Sequence, residues 1–376
     1  MSARSQRRIL ITGAAGFIGR NLSLRLSEIP GYEVIPFLRS TPLSDLPALV
    51  ARADAVVHLA GENRPADPAA FEAVNVGLTQ TLCAAVERAG RPIPFLFASS
   101  TQAAGESPYG RSKRAAEAVV AAFAGRSGSP VSIFRLPGVF GKGSRPEYNS
   151  VVATYCHNLI RGLPIRVEDP QKRLTLAYID DVIEAMVLAL ENDRPGVQRP
   201  EIAPLYQPAL GELAEQIRAI LDSRDSLITP RCGEGFLRAL QATCLSFLPP
   251  GAFSYPLTAQ QDARGRFVEM LKTPDSGQIS CFTAHPGVTR GGHYHHTKSE
   301  KFLVVEGEAL FRFRNVLTDE TFELRVTASQ PRVVETVPPW AHDVTNIGSG
   351  ALIVLLWASE IFDPARPDTI PARVYA

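Results

Sequence analysis

Three of the seven histidines in this 376-residue sequence fall within four positions, in the segment GGHYHH. In an extended strand alternate side chains share one face, so His293 and His295 would point the same way. Glu300 follows after a short turn, and His342 lies on a later predicted strand. Imidazole and carboxylate groups together can coordinate a divalent transition metal. We therefore predict that His293, Glu300 and His342 hold a metal ion, with His295 as a fourth ligand or as a nearby base.

A second group of reactive side chains lies in the first half of the chain. Tyr109 and Lys113 are four residues apart in YGRSK and would share one face of a helix. The preceding strand ends in FASST and offers the hydroxyl groups of Ser99, Ser100 and Thr101. A lysine ammonium beside a tyrosine lowers the pKa of the phenol from its ordinary value of about 10. Such a pair can pass a proton to a substrate oxygen that a serine hydroxyl holds.

Three glycines precede these groups. In ILITGAAGFIGRNL, Gly13, Gly16 and Gly19 follow an apolar strand and lead into a helix. Glycine at these points lets a pyrophosphate approach the backbone, so we predict a bound dinucleotide. The second strand ends in PFLRS, which places Arg39 where an NAD site usually has a carboxylate for the ribose. This cation favours the 2′-phosphate of NADP, with Arg20 as a second contact; the alternative is a solvated arginine without a role.

The periodicity of the sequence changes near residue 245. Before it, apolar runs such as RILIT and AVVHLA alternate with amphipathic stretches, which predicts an α/β Rossmann-like doubly wound parallel sheet. After LSFLPPGAFSYPL, short strands follow one another between turn residues, which predicts an all-β barrel. We assign residues 1–245 to an NADP-binding domain, 246–258 to a linker and 259–376 to the β domain.

Composition limits the classes of function. Hydrophobic residues make up 45% of the chain, so both parts can bury a core. The 39 basic and 38 acidic residues form no basic stripe, which argues against nucleic-acid binding. No apolar run approaches the roughly 20 residues of a membrane span. The five scattered cysteines form no Cys-x-x-Cys pair, so we expect a cytoplasmic protein without a membrane partner.

The glycine spacing, the serine-bearing strand and YGRSK, in this order, resemble the extended short-chain dehydrogenase/reductase family, which acts on nucleotide sugars. The resemblance implies that Ser100 is the triad hydroxyl, Tyr109 the acid–base and Lys113 the ribose-binding lysine. VHLAG and Asn75 are similar to the cofactor-contacting loop and helix of that family. The full set of expected cofactor contacts is Gly13, Gly16, Phe17, Ile18, Gly19, Arg39, Leu59, Ala60, Asn75, Tyr109 and Lys113.

The chain departs from that family on the substrate side. Ser100 and Tyr109 are closer in sequence than in most members, so the usual intervening segment is missing and the pocket must be built differently. In RLPGVFGKGSRPEYNSVV this chain has Gly138 where the family has an asparagine. By the same resemblance Arg173 and the loop 142–149 would contact the diphosphate or the uracil of a nucleotide sugar.

Motifs of the cupin family surround the histidines. The first motif is matched in full by Gly287, His293, His295, Glu300 and Gly307. His342 and Asn346 match the end of the second motif, although VPPWAH lacks the expected Pro-x-Gly. This resemblance implies a cupin barrel, and DARGRFVEMLK is similar to the nucleotide-sugar 3,5-epimerases of that fold. The alternative is an inert β-barrel with core or surface histidines.

Joined in this order, the two parts resemble, over nearly the whole chain, the bifunctional epimerase–reductase family of capsule biosynthesis. VHLAGENRP, PYGRSK, RLPGVFGK and HYHHTKSEKFLVVEGEA carry this resemblance. It implies the substrate UDP-2-acetamido-2,6-dideoxy-4-hexulose of the UDP-N-acetyl-L-fucosamine route. It also implies C3 epimerisation by the cupin domain, followed by NADPH-dependent C4 reduction to UDP-2-acetamido-2,6-dideoxy-talose. The C3 proton is acidic only while C4 is a ketone, so the cupin domain must act first.

Several alternatives stay open at this point. The metal, with zinc as the favoured ion, polarises the keto oxygen or is purely structural. The base for the C3 proton is His295, Lys301 or Tyr294, without ranking. The protein could instead reduce another nucleotide-linked 4-keto sugar, with the cupin as a dimerisation module, or act as a cofactor-sensing scaffold. In each case a homodimer is the expected assembly.

Overall fold

The structure, a computed structural model, describes residues 6–296, 298–316, 318–336, 338–365 and 367–375. These residues form two compact units. The first unit contains the residues up to Glu215 together with Ala242–Phe247, and the second contains Gln216–Gln241 together with the residues from Leu248 onward. The domain bounds assigned from the sequence stay predictions.

The first unit is built on a six-stranded parallel sheet. The strands of the unit as a whole are β1 (Arg7–Thr12), β2 (Tyr32–Phe37), β3 (Ala55–His58), β4 (Phe95–Ser100), β5 (Pro130–Leu136), β6 (Gly138–Phe140), β7 (Leu176–Tyr178), β8 (Gly196–Gln198) and β9 (Leu205–Tyr206). The parallel sheet has the order β2-β1-β3-β4-β5-β8, and β6, β7 and β9 form a separate small sheet. This order confirms the predicted doubly wound fold.

Helices connect these strands or follow the last of them. They are α1 (Phe17–Glu28), α2 (Leu46–Arg52), α3 (Thr79–Arg88), α4 (Pro108–Ser127), α5 (Val151–Ile160), α6 (Ile179–Leu190), α7 (Leu210–Ser226) and α8 (Gly235–Leu245). A π-helix, Phe71–Leu78, leads into α3, and 3₁₀ turns occupy Leu43–Asp45, Thr101–Ala104 and Pro250–Ala252. Within the described ranges, none of these helices is long and apolar enough to cross a bilayer.

Helix α4 carries the predicted Tyr–Lys pair, and its sequence sets both of its ends. Ser107 caps the helix by accepting the backbone N–H of Gly110 at 3.0 Å, and Pro108 occupies the first helical position. Gly128 ends the helix in the left-handed region, with φ of 68°. The beginning of α4 is therefore fixed one residue before Tyr109.

The sheet strands of the first unit are apolar at consecutive positions because helices cover both faces. Leu10 on β1 and Val56 on β3 are fully buried, and Phe97 on β4 is almost so. All six residues of β4 are buried, including Ser99 and Ser100 at its end. The polar end of this buried strand is where the predicted chemistry begins.

The second unit consists of antiparallel strands. They are β10 (Ala259–Asp262), β11 (Gly265–Thr273), β12 (Gly277–Ala284), β13 (Thr289–Tyr294), β14 (Glu300–Glu306), β15 (Glu308–Asn315), β16 (Thr321–Thr327), β17 (Val333–Thr336), β18 (Trp340–Asn346), β19 (Leu352–Ala358) and β20 (Ile370–Pro371). One sheet has the order β10-β11-β12-β19-β14-β17 and the other β16-β15-β18-β13-β20. The predicted all-β module is confirmed.

Side chains alternate between the inside and the outside of the β unit. On β14, Glu300, Phe302 and Val304 are buried, whereas Lys301, between the first two, and Val305, after the last, are exposed. Phe302 belongs to an apolar cluster to which both sheets contribute. Glu300 therefore points inward at the end of a strand whose other inward residues form the core.

Candidate active site and metal centre

The turn between β1 and α1 packs directly on the loop that follows β3. Gly13 has a φ of +71°, and a methyl group there would lie 2.8 Å from the Ala60 nitrogen. A methyl group on Gly19 would lie 2.3 Å from the Gly13 carbonyl oxygen. Gly16 begins α1 without a side-chain cap. The first N–H groups of the helix are thus left for an anionic ligand, as the glycine spacing predicts.

A cavity of about 610 Å³ brings most of the predicted residues of the first unit together. Its wall includes Gly13, Gly16, Phe17, Ile18, Gly19, Leu59, Ser100, Tyr109 and Lys113. Three predicted cofactor residues, Arg39, Ala60 and Asn75, are not part of this wall.

Arg39 lies beyond the end of β2. Its side chain is 89% exposed and forms an ion pair with Glu62, whose side chain is only 18% exposed and lines the cavity. Arg20 also lines the cavity and donates to the Gly143 carbonyl oxygen at 2.8 Å. The guanidinium of Arg39 therefore extends into solvent, whereas its partner carboxylate lies at the cavity wall.

Asn75 holds the loop after β3 rather than facing the cavity. Its Oδ1 accepts the Glu62 N–H at 2.8 Å, and its Nδ2 donates to the Glu62 carbonyl and to Ser112 Oγ, both at 2.9 Å. Ser112 Oγ in turn donates to the Tyr109 carbonyl at 2.8 Å. The amide connects the loop to α4 at the turn that carries Tyr109 and Lys113.

A buried histidine supports the same loop and was not singled out from the sequence. The Thr79 hydroxyl donates to the Asn75 carbonyl at 2.7 Å, so it accepts the Nε2–H of His58 at 2.9 Å. Nδ1 of His58 then accepts the Thr12 hydroxyl at 2.6 Å, and Thr12 Oγ1 accepts the N–H groups of residues 59 and 60 at 3.2 Å. Burial lowers the pKa of His58 to about 3, so the ring is neutral. Only the segment VHLAG gave a signal for this network.

Ser100, Tyr109 and Lys113 meet where β4 ends against α4. The Lys113 ammonium is buried and donates to the Ala98 carbonyl at 2.6 Å, with the Phe97 ring centroid 4.7 Å away. Burial lowers the pKa of Lys113 to about 8, against the opposing charge of Glu117. The predicted constellation is therefore brought together in one place.

The pKa of Tyr109 differs in direction from the sequence expectation. Burial raises it above its usual value, and a hydrogen bond with Ser100 offsets this only in part. An adjacent ammonium was expected to lower it, but Lys113 directs its hydrogen bond to the Ala98 carbonyl. The phenol of the protein alone is thus a protonated acid at neutral pH.

The loop 142–149 lies where two cavities of the first unit meet. A second cavity of about 700 Å³ shares five wall residues with the first: Gly138, Val139, Tyr148, Asn149 and Ser150. Arg64 and Tyr155 also line the second cavity. Arg173 lines neither cavity and donates to the Gln207 carbonyl at 2.8 Å. Loop 142–149, but not Arg173, thus borders the space where a substrate could lie.

Four side chains converge inside the second unit. The ligand atoms of His293, His295, Glu300 and His342 lie within 4.8 Å of one another. His293 on β13 is the register partner of His342 on β18. Glu300 Oε2 lies 3.1 Å from His295 Nε2 and 3.2 Å from His342 Nε2. The four predicted metal ligands are therefore adjacent, although they come from three strands and a loop.

The protonation of this cluster fits a cation. Nδ1–H of His295 donates to the Asp368 carbonyl at 2.5 Å, and Nε2 of the same ring faces Glu300 Oε2 at 3.1 Å. His342 Nε2 is buried and faces Glu300 Oε2 at 3.2 Å, but not in the geometry of a regular hydrogen bond. Burial favours a protonated Glu300, but His295 and His342 outweigh it and lower the pKa of the carboxyl well below its usual range. Burial, and then His342, lower the pKa of His293 to about 4. Three imidazoles and one carboxylate are a donor set for zinc or a similar ion.

The C-terminal segment secures the histidine loop. The Asp368 carboxylate accepts the backbone N–H groups of His296 and Lys298, both at 2.8 Å. Lys298 is itself buried and donates to Thr369 Oγ1 at 2.8 Å. Asp368 thus holds the turn after His295, and its carbonyl fixes the tautomer of that ring. The sequence gave no signal for it, because it lies 73 residues further along the chain.

Two of the three candidate bases for the C3 proton, Lys301 and Tyr294, contact residues other than the four predicted metal ligands. Lys301 points away from the cluster and pairs with Glu335 on the exposed face. Tyr294 packs against His296, with ring centroids 5.4 Å apart. Lys301 is therefore wrong as a base candidate, since alternation on β14 places it opposite to Glu300.

Comparison with known proteins identifies the family. The model described as NAD dependent epimerase/dehydratase family matches residues 9–202, and the model described as Polysaccharide biosynthesis C-terminal domain matches residues 260–370. The UDP-2-acetamido-2,6-beta-L-arabino-hexul-4-ose reductase of Pseudomonas aeruginosa is 51% identical, over 98% of this chain and 99% of its own. This chain belongs to the NAD dependent epimerase/dehydratase family. A nicotinamide cofactor is accordingly the cofactor of its first unit.

Solved structures agree with this family. The capsular polysaccharide assembling protein CapF from Staphylococcus aureus has a TM-score of 0.90 at 37% identity, over 97% of this chain and 100% of its own. CapF with the inhibitor 3-isopropenyl-tropolone has a TM-score of 0.85 at 34% identity, over 98% of this chain and 100% of its own. The resemblance to capsule-biosynthesis proteins of this two-part type is confirmed.

Asp368→Ala tests the metal cluster through its support. We expect the variant to bind Co²⁺ about tenfold more weakly than the wild type, because the turn after His295 loses its anchor. The measurement is a titration of metal-stripped protein, followed by the visible absorption of the bound cobalt. Glu335→Ala is the matched control, since Glu335 lies on the exposed face beside the same strand. Equal affinities in Asp368→Ala and the wild type would contradict the assignment.

Proposed function

We propose that the protein is a bifunctional nucleotide-sugar enzyme. Its second unit inverts C3 of UDP-2-acetamido-2,6-dideoxy-4-hexulose, and its first unit then reduces C4 with NADPH to UDP-2-acetamido-2,6-dideoxy-talose, a precursor of L-fucosamine in capsule or O-antigen. The observation that carries the proposal is the meeting of Ser100, Tyr109 and Lys113 at a glycine-lined cavity. Its support is a relative, 51% identical, that is named as a reductase of such a 4-keto sugar.

The protonation state of Tyr109 suits reduction. NADPH, when bound, supplies the hydride for C4. Tyr109 is the acid that gives a proton to the C4 oxygen, and its raised pKa keeps it protonated beforehand. Ser100 holds the same oxygen by a hydrogen bond, and we assign the Lys113 ammonium to the ribose of the cofactor.

Epimerisation precedes reduction for a chemical reason. Removal of the C3 proton leaves a carbanion that must delocalise onto the C4 carbonyl oxygen. Once C4 is an alcohol, no such oxygen is available. The two units therefore act in the order opposite to their order in the chain.

The histidine cluster gives the second unit its part in this chemistry. A divalent cation held by His293, His295, Glu300 and His342, with zinc as the favoured ion, would supply Lewis-acid polarisation of a keto oxygen. We assign His295 as the fourth ligand, because its Nδ1–H is committed to the Asp368 carbonyl. Tropolones chelate divalent cations, so the inhibitor in the CapF complex is of a type that a metal centre binds.

Exchange and reduction can be measured separately with the 4-keto sugar in heavy water. We expect the wild type to incorporate deuterium at C3 without NADPH and to oxidise NADPH when it is added. Tyr109→Phe should keep the exchange and lose reduction at least about a hundredfold, because only the acid is removed. Glu300→Ala should lose both the exchange and the bound metal.

The same experiment distinguishes the alternative function. NADPH oxidation without any exchange at C3 would favour a reductase of another nucleotide-linked 4-keto sugar, with the second unit as a dimerisation module. Full metal content in Glu300→Ala would remove the proposed ligand set.

We propose NADP rather than NAD as the cofactor, with Arg39 as the contact for the 2′-phosphate. Arg39→Ala should weaken NADPH binding about tenfold and leave NADH binding nearly unchanged, because the lost charge-assisted hydrogen bond exists only with NADPH. Fluorescence titration of both nucleotides provides the measurement. Arg52→Ala, at an exposed arginine on α2, is the control. An equal loss for NADH and NADPH would refute the role of Arg39.

We also propose a homodimer that forms through one sheet of the second unit, the sheet of order β10-β11-β12-β19-β14-β17. The interface would be the outer face of this sheet. Val268, Cys281, Leu355, Leu303 and Val333 are register neighbours across five adjacent strands. Val333 is 57% exposed and Leu355 39% exposed. A continuous apolar row of this width is typical of an interface between proteins.

The five cysteines are free, in keeping with the reducing cytoplasm as the proposed location.

A charge in this row should separate the protomers. Leu355→Arg is expected to give a monomer by light scattering, because two buried guanidinium groups would face each other without partners. Leu188→Arg is the control, at a leucine of the first unit that is 76% exposed. A wild-type monomer, or a Leu355→Arg dimer of unchanged affinity, speaks against this interface.

A further inference from the structure

A carboxylate, that of Glu117, continues the line of Tyr109 and Lys113 along α4. Glu117 follows Lys113 by four residues, so the three side chains share one face of the helix. Glu117 is only 5% exposed, and the chemistry described above does not use it. A buried carboxylate is costly unless hydrogen bonds and an opposite charge compensate it.

Glu117 has such partners on two adjacent strands. The Ser99 hydroxyl on β4 donates to its Oε1 at 2.5 Å. Arg135 on β5 donates from Nε to Oε1 at 2.9 Å and from Nη2 to Oε2 at 2.7 Å. Ser99 and Arg135 are register partners in the sheet. The carboxylate therefore fastens α4 to β4 and β5 at one point.

The contacts between α4 and β4 form a ladder of three steps. Ala98 accepts the Lys113 ammonium at 2.6 Å, Ser99 donates to Glu117, and Ser100 forms a hydrogen bond with Tyr109. Three consecutive strand residues thus hold three helix residues that are one turn apart.

We propose that Glu117 is a positioning residue for the reductase site, one that sets α4 on β4 and provides the counter-charge for the buried Lys113 ammonium. This inference rests on the proposed reductase function. Arg135 has the complementary part, because it neutralises Glu117 and its side chain is 41% exposed to water.

The surroundings of Lys113 make its charge sensitive to Glu117. The titratable groups near it are Tyr109 and Glu117 on α4, the neutral His58 on β3, and Arg135 on β5 behind Glu117. Glu62 in the neighbouring loop is paired with Arg39. Burial lowers the pKa of Lys113 to about 8, and the Glu117 charge raises it. Since the ammonium is the active form, function is lost as pH rises through this pKa, and removal of the carboxylate starts that loss at lower pH.

Two variants with opposite charge changes test the proposal. In Glu117→Gln the alkaline limb of kcat/KM for NADPH-dependent reduction should move down by about one pH unit, which lowers the rate about tenfold at pH 9 and little at pH 6. In Arg135→Gln the unneutralised carboxylate should move the limb to higher pH. Glu117→Asp, which restores the charge, should bring the limb back toward that of the wild type.

A purely structural role would give another pattern. Asp54→Asn, which removes a carboxylate bound to Arg8 on β1, should lower the melting temperature without moving the limb. Limbs that coincide with the wild type in both Glu117→Gln and Arg135→Gln overturn the proposal, as do shifts of the same sign. If Glu117→Gln does not fold, Arg135→Gln alone decides by the sign of its shift.

The pH dependence of NADPH affinity separates this inference from the proposed function. Lys113 lines the cofactor cavity, so the same opposite shifts are expected in NADPH binding measured without any sugar. A wild type that binds NADPH but reduces no UDP-linked 4-keto sugar refutes the proposed function. Even then, the pH dependence of NADPH affinity in Glu117→Gln and Arg135→Gln supports or refutes the role of Glu117.

Discussion

A buried ammonium at the end of a buried strand constrains the first unit. Lys113 is enclosed by α4, β4 and the loop after β3, and it has one short hydrogen bond, to the Ala98 carbonyl. Such a charge is tolerated only where the surrounding backbone is held in place. Asn75 and Glu117 fix that backbone from opposite ends, and the glycine turn can then approach the loop as closely as it does.

The second unit meets a related constraint with the opposite sign. Glu300 is a buried carboxylate among three imidazoles, and strand alternation rather than helix spacing sets its direction. Proton positions are fixed from outside the cluster, through the Asp368 carbonyl on His295. A backbone carbonyl thus accepts the buried ammonium directly in the first unit, and in the second a backbone carbonyl orients a histidine that faces the buried carboxylate.

Residues with a short-range spacing were predictable, and residues that depend on distant contacts were not. Gly13, Gly19 and the pair Tyr109 and Lys113 could be placed because turn and helix geometry act over a few residues. The roles of His58 and Asp368 depend on partners dozens of positions away, which no spacing encodes. The outward direction of Lys301 was available from alternation with Glu300. The raised pKa of Tyr109 was not, since it follows from burial by the whole unit.

The chain of hydrogen bonds through His58 limits how this protein can diverge. Each donor from Thr12 through the imidazole to Thr79 has a single acceptor, and the last is a backbone carbonyl that no substitution removes. A residue at position 58 that exchanges the donor and the acceptor would leave the Thr12 hydroxyl without an acceptor and the Thr79 oxygen without a donor. Thr12, His58 and Thr79 are therefore expected to be retained together or substituted together in related sequences.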